Sequence, residues 1–468
     1  MKTSRRNFLK STGLTGAGLL GANLIGCTSR AEPSDPFPHT YRQVFNMRGY
    51  GAPKLDVVRV AVIGLGNRGT GSTRRLACIE GVEIRALCDL YADRCERAAD
   101  LISFLGHKPD HYSGGPDEWK KVCERQDIDL IAVQTPWNLH AEQCVYAMEH
   151  DKHAYVELPA ATTMDECWQL VETSERTRKH CVQMSGGANA AILNMIRNGF
   201  FGELIHAEGG YIHDLIPRHL FRKEFYQGDW RIKENIGRQG NLYPQHGLVP
   251  HIQYMDLNGG DRMDYLTSTS SADFSMNEYA KKMAAEDDHW KQYIDSDFRG
   301  NMNITVIRTV KGRTIIMQHD VSTPRPREQG MVCGTKAIFH RNRLATDHSN
   351  WFSDEEYRET MERYTPDATK RFNELNRIAE SVDRGSHGYY RTTPVDWRLI
   401  DCLRNGLPVD RDVYEAALSS VITPLSVWST TNKSNSVSVP DFTCGKWETN
   451  TASVDINFER GGGSTRLL

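Results

Sequence analysis

The run Val57-Val-Arg-Val-Ala-Val-Ile63 passes without a break into Gly64-Leu-Gly66-Asn-Arg-Gly69 and then into a helical pattern that lasts to about Cys78. A continuous β-branched run is the pattern of a strand buried on both faces of a parallel sheet. Glycine at 64, 66 and 69 allows a tight turn, close approach of backbone to a pyrophosphate and close packing of helix on strand, with the phosphates at the helix N-terminus. The three glycines alone carry little weight; the strand before them and the helix after them supply the required context. The next strand, Glu83-Ile-Arg-Ala-Leu-Cys-Asp89, ends in a carboxylate about 20 residues past the loop. There an acid binds a ribose 2′-hydroxyl and repels a 2′-phosphate, so Asp89 favours NAD over NADP.

Strand-like runs recur at Ile128–Gln134, His153–Glu157 and His180–Met184, with helical patterns at about 140–150 and 163–178. Such alternation predicts a doubly wound parallel α/β sheet whose ligand lies along the strand C-terminal ends. Three loops should therefore face it: Gly64–Gly69, Thr135-Pro-Trp137-Asn138-Leu139-His140, and Glu157-Leu158-Pro159. By position alone, Trp137 also reads as a packing residue and His140 as a helix-entry residue.

A length of 468 residues suggests two or three domains. With 57 Lys and Arg against 60 Asp and Glu, a net charge of −3, no global field attracts nucleic acid or an anionic membrane. The 11 cysteines form no CxxC pair, which argues against a disulfide framework or a zinc cluster and for reduced core residues. The segment from Met1 opens with a basic stretch containing Arg5-Arg6, continues as a short glycine-rich apolar stretch, and reaches Leu24-Ile-Gly-Cys27. It is too short and too rich in glycine to span a bilayer. Arg5-Arg6 matches a twin-arginine export signal, and Cys27 stands where a lipoprotein box would leave an acylated N-terminus. An ordinary secretory signal and plain cleavage near Cys27 remain the alternatives. The twin-arginine route carries folded proteins, which predicts a tightly held cofactor.

The three loops resemble those of the Gfo/Idh/MocA oxidoreductase superfamily, a Rossmann domain followed by an α/β domain with an open, mostly antiparallel sheet that carries the sugar site. That superfamily usually has Glu-Lys-Pro where this chain has Glu157-Leu158-Pro159; without the lysine an ordinary alcohol dehydrogenase is disfavoured. Further runs, among them Asn194–His206, Glu208–Leu215, Trp230–Asn235, Gly240–Gly247 and Pro440–Trp447, resemble glycoside hydrolase family 109, whose members are NAD-dependent α-N-acetylgalactosaminidases. The resemblance implies NAD contacts from Asn67, Arg68, Asp89, Trp137 to His140, Glu157 and Leu158. It implies sugar contacts from Tyr211, Arg231 and the segment Tyr243-Pro244-Gln245-His246, with His246 or Tyr211 as acid or base. Read without the family, Tyr-Pro-Gln-His after a glycine is a constrained loop presenting an imidazole, and a structural histidine is the alternative. Three segments depart from the family pattern: Ser185–Ala190, which lacks a tyrosine proposed as base; Thr323–Arg327, where Arg327 replaces a sugar-contacting tyrosine; and Ser386–Tyr390.

The expected organisation is a signal over 1–26, a tether over 27–53, an NAD-binding domain over 54–184, a substrate domain over 185–440 and a tail over 441–468, flexible at Gly461-Gly-Gly-Ser. Asn303–Thr309 and Thr314–Val321 read as a hairpin of the second sheet. Asp354–Ser381 reads as a solvated helical region, and Glu415–Trp428 as a helix returning to the nucleotide domain. His213, Asp214, His246 and His251 lack metal-ligand spacing, so no metal is expected. The expected activity is glycoside hydrolysis with NAD as a recycled internal oxidant. The alternatives are a sugar oxidoreductase and a catalytically impaired sugar-binding lipoprotein. The expected partners are a small glycan and the membrane through lipid on Cys27 alone; self-association into a homo-oligomer is left open.

Overall fold

The computed structural model describes residues 35–327, 330–347, 350–382, 384 and 390–468; Arg5-Arg6, Cys27 and most of Ser386–Tyr390 lie outside them. In the N-terminal unit, residues 1–38, Phe37 N donates to Asp35 Oδ1 at 2.9 Å. The second unit, residues 39–468, holds both sheets.

Six parallel strands form the first sheet: β1 (Val58–Ile63), β2 (Val82–Cys88), β3 (Asp110–Tyr112), β4 (Leu130–Val133), β5 (His153–Val156) and β6 (Cys181–Gln183), ordered β3-β2-β1-β4-β5-β6. The order reverses between β1 and β4, and the crevice at that switch point is where such sheets bind nucleotides. β1, β4 and β5 are buried almost throughout, as continuous apolar runs require. The helix Met164–Thr177 starts at a capping box in which Thr163 and Glu166 satisfy each other's backbone N–H.

Eight strands form the second sheet, ordered β13-β12-β11-β7-β10-β9-β8-β14. They are β7 (Leu204–Ile212), β8 (Met263–Ser270), β9 (Met302–Thr309), β10 (Thr314–Asp320), β11 (Met331–Gly334), β12 (Ile338–His340), β13 (Arg343–Ala345) and β14 (Val437–Ser438). β7 and β10 pair in parallel and all other neighbours antiparallel. β9 and β10 are the expected hairpin, with Gly312 in the left-handed region at φ +86°. Along β9, Asn303, Thr305, Ile307 and Thr309 point inward and the residues between them outward, the alternation of a sheet open on one face.

The structure corrects several expectations. Residues 39–52 are not a tether: Met47 is buried, Arg48 pairs with Asp412 at 2.7 Å, and Glu175 accepts from Tyr41 Oη (2.6 Å), Val44 N (3.1 Å) and Tyr414 Oη (2.8 Å). The Gly461-Gly-Gly-Ser stretch is not flexible: Asp401 accepts from Gly463 N (2.7 Å) and Thr465 N (3.1 Å), and Leu468 N donates to Cys78 O (2.8 Å). Asp354–Ser381 holds two helices, Asp354–Arg363 and Asp367–Glu380; the first buries nothing, but the second buries Phe372, Leu375, Asn376 and Ala379. Phe372 and Leu375 join Val58, Val60, Leu76, Trp397, Ile400 and Leu467 in one core. The nucleotide sheet is thus covered in part by the helix Pro394–Asn405 and the C-terminal segment, elements far outside 54–184. The expected helix near Glu415–Trp428 is two, Val413–Ser420 and Ile422–Thr431. The first returns to the nucleotide sheet, where Gln183 Nε2 donates to Ser419 Oγ at 2.9 Å. Of the ten described cysteines, all free, eight are buried.

Candidate functional site

Two of the three glycines of the loop stand where no side chain can be added. Gly64 has φ +89°, and a Cβ there would lie 2.8 Å from the Gln134 carbonyl; one on Gly69 would lie 1.7 Å from Gly64 O. Gly66 by contrast faces open space, with nothing nearer to such an atom than Arg94 Nη1 at 3.8 Å. The helix Gly69–Ala77 begins at Arg68 with no side-chain cap, and Thr70 N makes only a long 3.4 Å bond back to Gly66 O, so the helix N-terminus can turn to an anion. Asp89, just past β2, accepts from Leu65 N at 2.7 Å and Tyr91 N at 3.1 Å. Arg94 Nη1 also reaches both Asp89 oxygens, at 3.4 and 3.5 Å, so a ribose hydroxyl would share or displace that long ion pair. Open space at Gly66, an uncapped helix N-terminus and a fixed carboxylate together fit a dinucleotide, held by Gly64–Gly69 and Asp89.

The other two loops meet beside it. Glu157, half-buried, lies 3.6 Å from Arg68, and burial raises its pKa while Arg68 opposes the rise. His140 is fully enclosed, with Nδ1 and Nε2 each 2.7 Å from a carbonyl, of Pro159 and Thr135 respectively. Its imidazole therefore holds one loop to the other and cannot itself touch a ligand, a correction to its expected role. Trp137 is buried and stacked on Tyr243 (5.0 Å, 13°), Asn138 is exposed, and Leu139 is partly buried. Asn67 is exposed and donates to Phe225 O at 2.8 Å. Leu158 packs in one apolar cluster with Trp137, Tyr211 and Tyr243.

The sugar-side residues owe their places to close glycine contacts. A Cβ on Gly247 would lie 2.2 Å from Gly210 N, and one on Gly209 would lie 2.5 Å from Gly247 O, so the helix Gln245–Tyr254 rests directly on β7. That approach stacks His246 on Tyr211 (4.9 Å, 15°), with Tyr243 edge-on to both at 5.1 and 4.8 Å. Arg231 is enclosed by aromatic faces, its guanidinium 4.9 Å from Trp137 and 5.0 Å from Tyr243, and it donates to Tyr226 Oη at 3.0 Å. Pro244 precedes the first turn of the helix, while Gln245 is buried with Nε2 donating to Ser419 O at 3.3 Å. Burial and the Arg327, Arg231 and Arg68 guanidiniums push the His246 pKa down to about 3, so its imidazole is neutral and resists protonation.

A cavity of about 800 Å³ is lined by Arg68, Glu157, Leu158 and His246 together with the Ser185–Ala190 segment. Sequence reasoning expected the first four and flagged the segment, but missed what fixes it. Arg411 Nη1 donates to Ser185 O at 2.7 Å, Ala188 N to Gln253 Oε1 at 2.9 Å, and Asn189 N to Tyr254 Oη at 2.9 Å. It also missed the wall at Arg391–Leu399. There the Thr393-Pro-Val-Asp396 run, with Thr393 Oγ1 accepting from Asp396 N at 3.2 Å, is a legible helix start. Tyr211, Arg231 and Tyr243 stand behind His246 and do not line this cavity. Among the described residues no three His, Cys, Asp or Glu side chains come together to hold a metal, and His251 turns to Glu208 O at 2.8 Å.

A six-stranded Rossmann half and an open-sheet half that meet at a nucleotide loop and a neutral imidazole define a protein of the Gfo/Idh/MocA type. Residues 58–185 match the oxidoreductase family with an NAD-binding Rossmann fold, and residues 188–449 match the glycosyl hydrolase 109 C-terminal domain. A glycosyl hydrolase family 109 protein of Shewanella pealeana is 40% identical over 463 residues, spanning 96% of this chain and 98% of that one. One of Shewanella woodyi is 41% identical, spanning 95% and 97%. The chain belongs to glycosyl hydrolase family 109. Its fold is shared with an NAD-binding oxidoreductase of Klebsiella pneumoniae (TM-score 0.57, 13% identity, 83% of this chain and 100% of that one). It is shared too with the WlbA dehydrogenase of Bordetella pertussis, solved with NADH and UDP-GlcNAcA (TM-score 0.55, 14% identity, 83% and 100%). Family and fold together make this an NAD-binding protein of glycosidase or sugar-oxidoreductase type.

Proposed function

We propose that the protein hydrolyses terminal α-N-acetylgalactosaminides, or closely related glycosides, with NAD retained through the cycle. The observation that carries this reading is a neutral, shielded imidazole, His246, facing the same cavity as the Arg68–Glu157 pair of the nucleotide loops. NAD bound at Gly64–Gly69 and Asp89 supplies a reversible hydride acceptor for sugar C3, so that the C2 proton becomes acidic and net oxidation over a turnover is zero. His246, unprotonated at neutral pH and lining the cavity, is the residue placed to take the C2 proton, and the bound sugar must raise its basicity for that transfer. Tyr211, stacked on His246, fixes the ring plane. Arg231 and Tyr243 brace that pair from behind. Leu158 lines the cavity with an apolar side chain, where a lysine would add a second proton carrier. This reading also takes the chain as exported through Arg5-Arg6 and tethered at Cys27, since a retained cofactor suits a place where free NAD is scarce.

The test is chromophore release from aryl α- and β-glycosides, N-acetylgalactosaminides foremost, by purified protein with no NAD added. Release from the α-N-acetylgalactosaminide supports the reading. A lasting change in nicotinamide absorbance on adding free sugar, with no glycoside cleaved, makes the protein a sugar oxidoreductase instead. Sugar-dependent thermal stabilisation without turnover makes it a binding protein.

A further inference from the structure

Three guanidiniums converge on the His246–Tyr211 pair, and their charge is poorly balanced. Arg68 meets Glu157 at 3.6 Å. Arg231 is buried, yet among the described residues it makes no ion pair; its charge faces the rings of Trp137, Tyr226, Trp230 and Tyr243. Arg327 is exposed, stands over the Tyr211 ring with its guanidinium carbon 5.9 Å from the centroid, and also makes no ion pair among the described residues. The ring beneath it is the one on which His246 stacks at 4.9 Å. Burial and, after it, the charge of Arg327 lower the pKa values of both His213 and His246. A buried cation without a counter-ion is costly unless a ligand brings one. Aromatic faces offset part of that cost for Arg231. Arg327, exposed beside the Tyr211 ring and without an ion pair among the described residues, carries the planar fork that pairs best with a carboxylate or a sulfate ester.

We propose that this site selects a sugar carrying an anionic substituent, a carboxylate or a sulfate ester, with Arg327 as the residue that recognises it. The proposal rests on the glycoside-directed reading above but concerns binding, and it can be tested apart from turnover. Calorimetry on the NAD-loaded protein compares galactose with galacturonate and with galactose 6-sulfate, for the native chain and for Arg327→Gln. Arg327 is exposed, so the substitution leaves the fold intact, and an unchanged melting temperature checks this.

The expected result is that one of the anionic sugars binds about 10- to 100-fold more tightly than galactose, the effect of one charge-assisted pair, and that Arg327→Gln removes the preference. Which of the two anions is preferred separates a uronate from a sulfated substrate. Equal binding of all three sugars, or a preference that survives Arg327→Gln, overturns the proposal. An anion preference lost in Arg327→Gln, from protein that cleaves no glycoside, refutes the glycosidase reading and leaves this one standing. Cleavage of neutral N-acetylgalactosaminides without any anion preference does the reverse.

Discussion

Gly66 and Gly69 belong to one loop but should fail differently. A methyl on Gly66 meets no protein atom closer than 3.8 Å, and Gly66 has no positive φ, so Gly66→Ala should fold normally. The open space it fills is the space through which a pyrophosphate approaches the backbone. Loss of one N–H to phosphate bond, about 1.5–3 kcal/mol, lowers affinity about 10- to 100-fold. A methyl on Gly69 instead falls 1.7 Å from Gly64 O, so the loop must open by more than an ångström. Gly69→Ala should therefore lose both cofactor and stability. The assay is calorimetric titration of NAD into protein stripped of nucleotide, with urea denaturation of each variant in parallel. NAD binding to Gly66→Ala within threefold of the native chain would refute the assignment of that space to the pyrophosphate.

Removal of residues 461–468 strips Leu467 from the core and leaves the buried Trp397 Nε1 without Thr465 O, its acceptor at 2.9 Å. It should cost about 3–5 kcal/mol in urea denaturation, and a loss below about 1 kcal/mol would contradict the packing described. His180 is buried with neither ring nitrogen partnered among the described residues, and burial lowers its pKa to about 4. His180→Phe should therefore raise stability by about 1 kcal/mol at pH 7 and by more at pH 5, as followed by the urea midpoint; a lower midpoint counts against it. His246 has a folded pKa of about 3 against the ordinary 6.5, so between those values the unfolded chain binds a proton that the folded chain does not. Its contribution to stability is complete above about pH 6.5 and is lost as pH falls toward 3, by at most about 1.4 kcal/mol per pH unit. His246→Gln should flatten the fall in melting temperature between pH 6.5 and 4.5, and an unchanged slope would show that His246 carries no such linkage.

The nucleotide half was legible because its signals are local. An unbroken Val and Ile run, glycines at fixed offsets and a carboxylate at a strand end each depend on a few neighbouring residues, and β1, β2, β4 and β5 fall within two residues of where the pattern puts them. His246 could be singled out for the same reason, since Tyr-Pro-Gln-His after a glycine reads as a constrained loop presenting an imidazole. The features that escaped a reading of the sequence depend on contacts across hundreds of residues. Nothing near Glu175 announces that Tyr41, Val44 and Tyr414 converge on it. Gly461-Gly-Gly-Ser has the composition of a flexible end, yet all three glycines hold positive φ and the segment is hydrogen-bonded to Asp401. His140 shows the converse limit: a polar residue in a ligand-facing loop turns its ring nitrogens to two carbonyls behind that loop, donating to one of them.

The helix Pro394–Asn405 and the segment ending at Leu468 complete the core beneath β1. Synthesis runs from the N-terminus, so the domain whose strands emerge first is the one that must wait longest for its last parts. At roughly 5–20 residues per second, the interval between the emergence of β6 and of Leu467 is roughly 15 to 60 s. Through that time the apolar face of β1, β2 and β4 lacks its cover, which makes the nascent chain a client for whatever shields such surfaces on the ribosome. A fragment ending after β6 would have the same defect permanently. Any attempt to express the nucleotide half alone should therefore carry residues 367–405 and 461–468 with it.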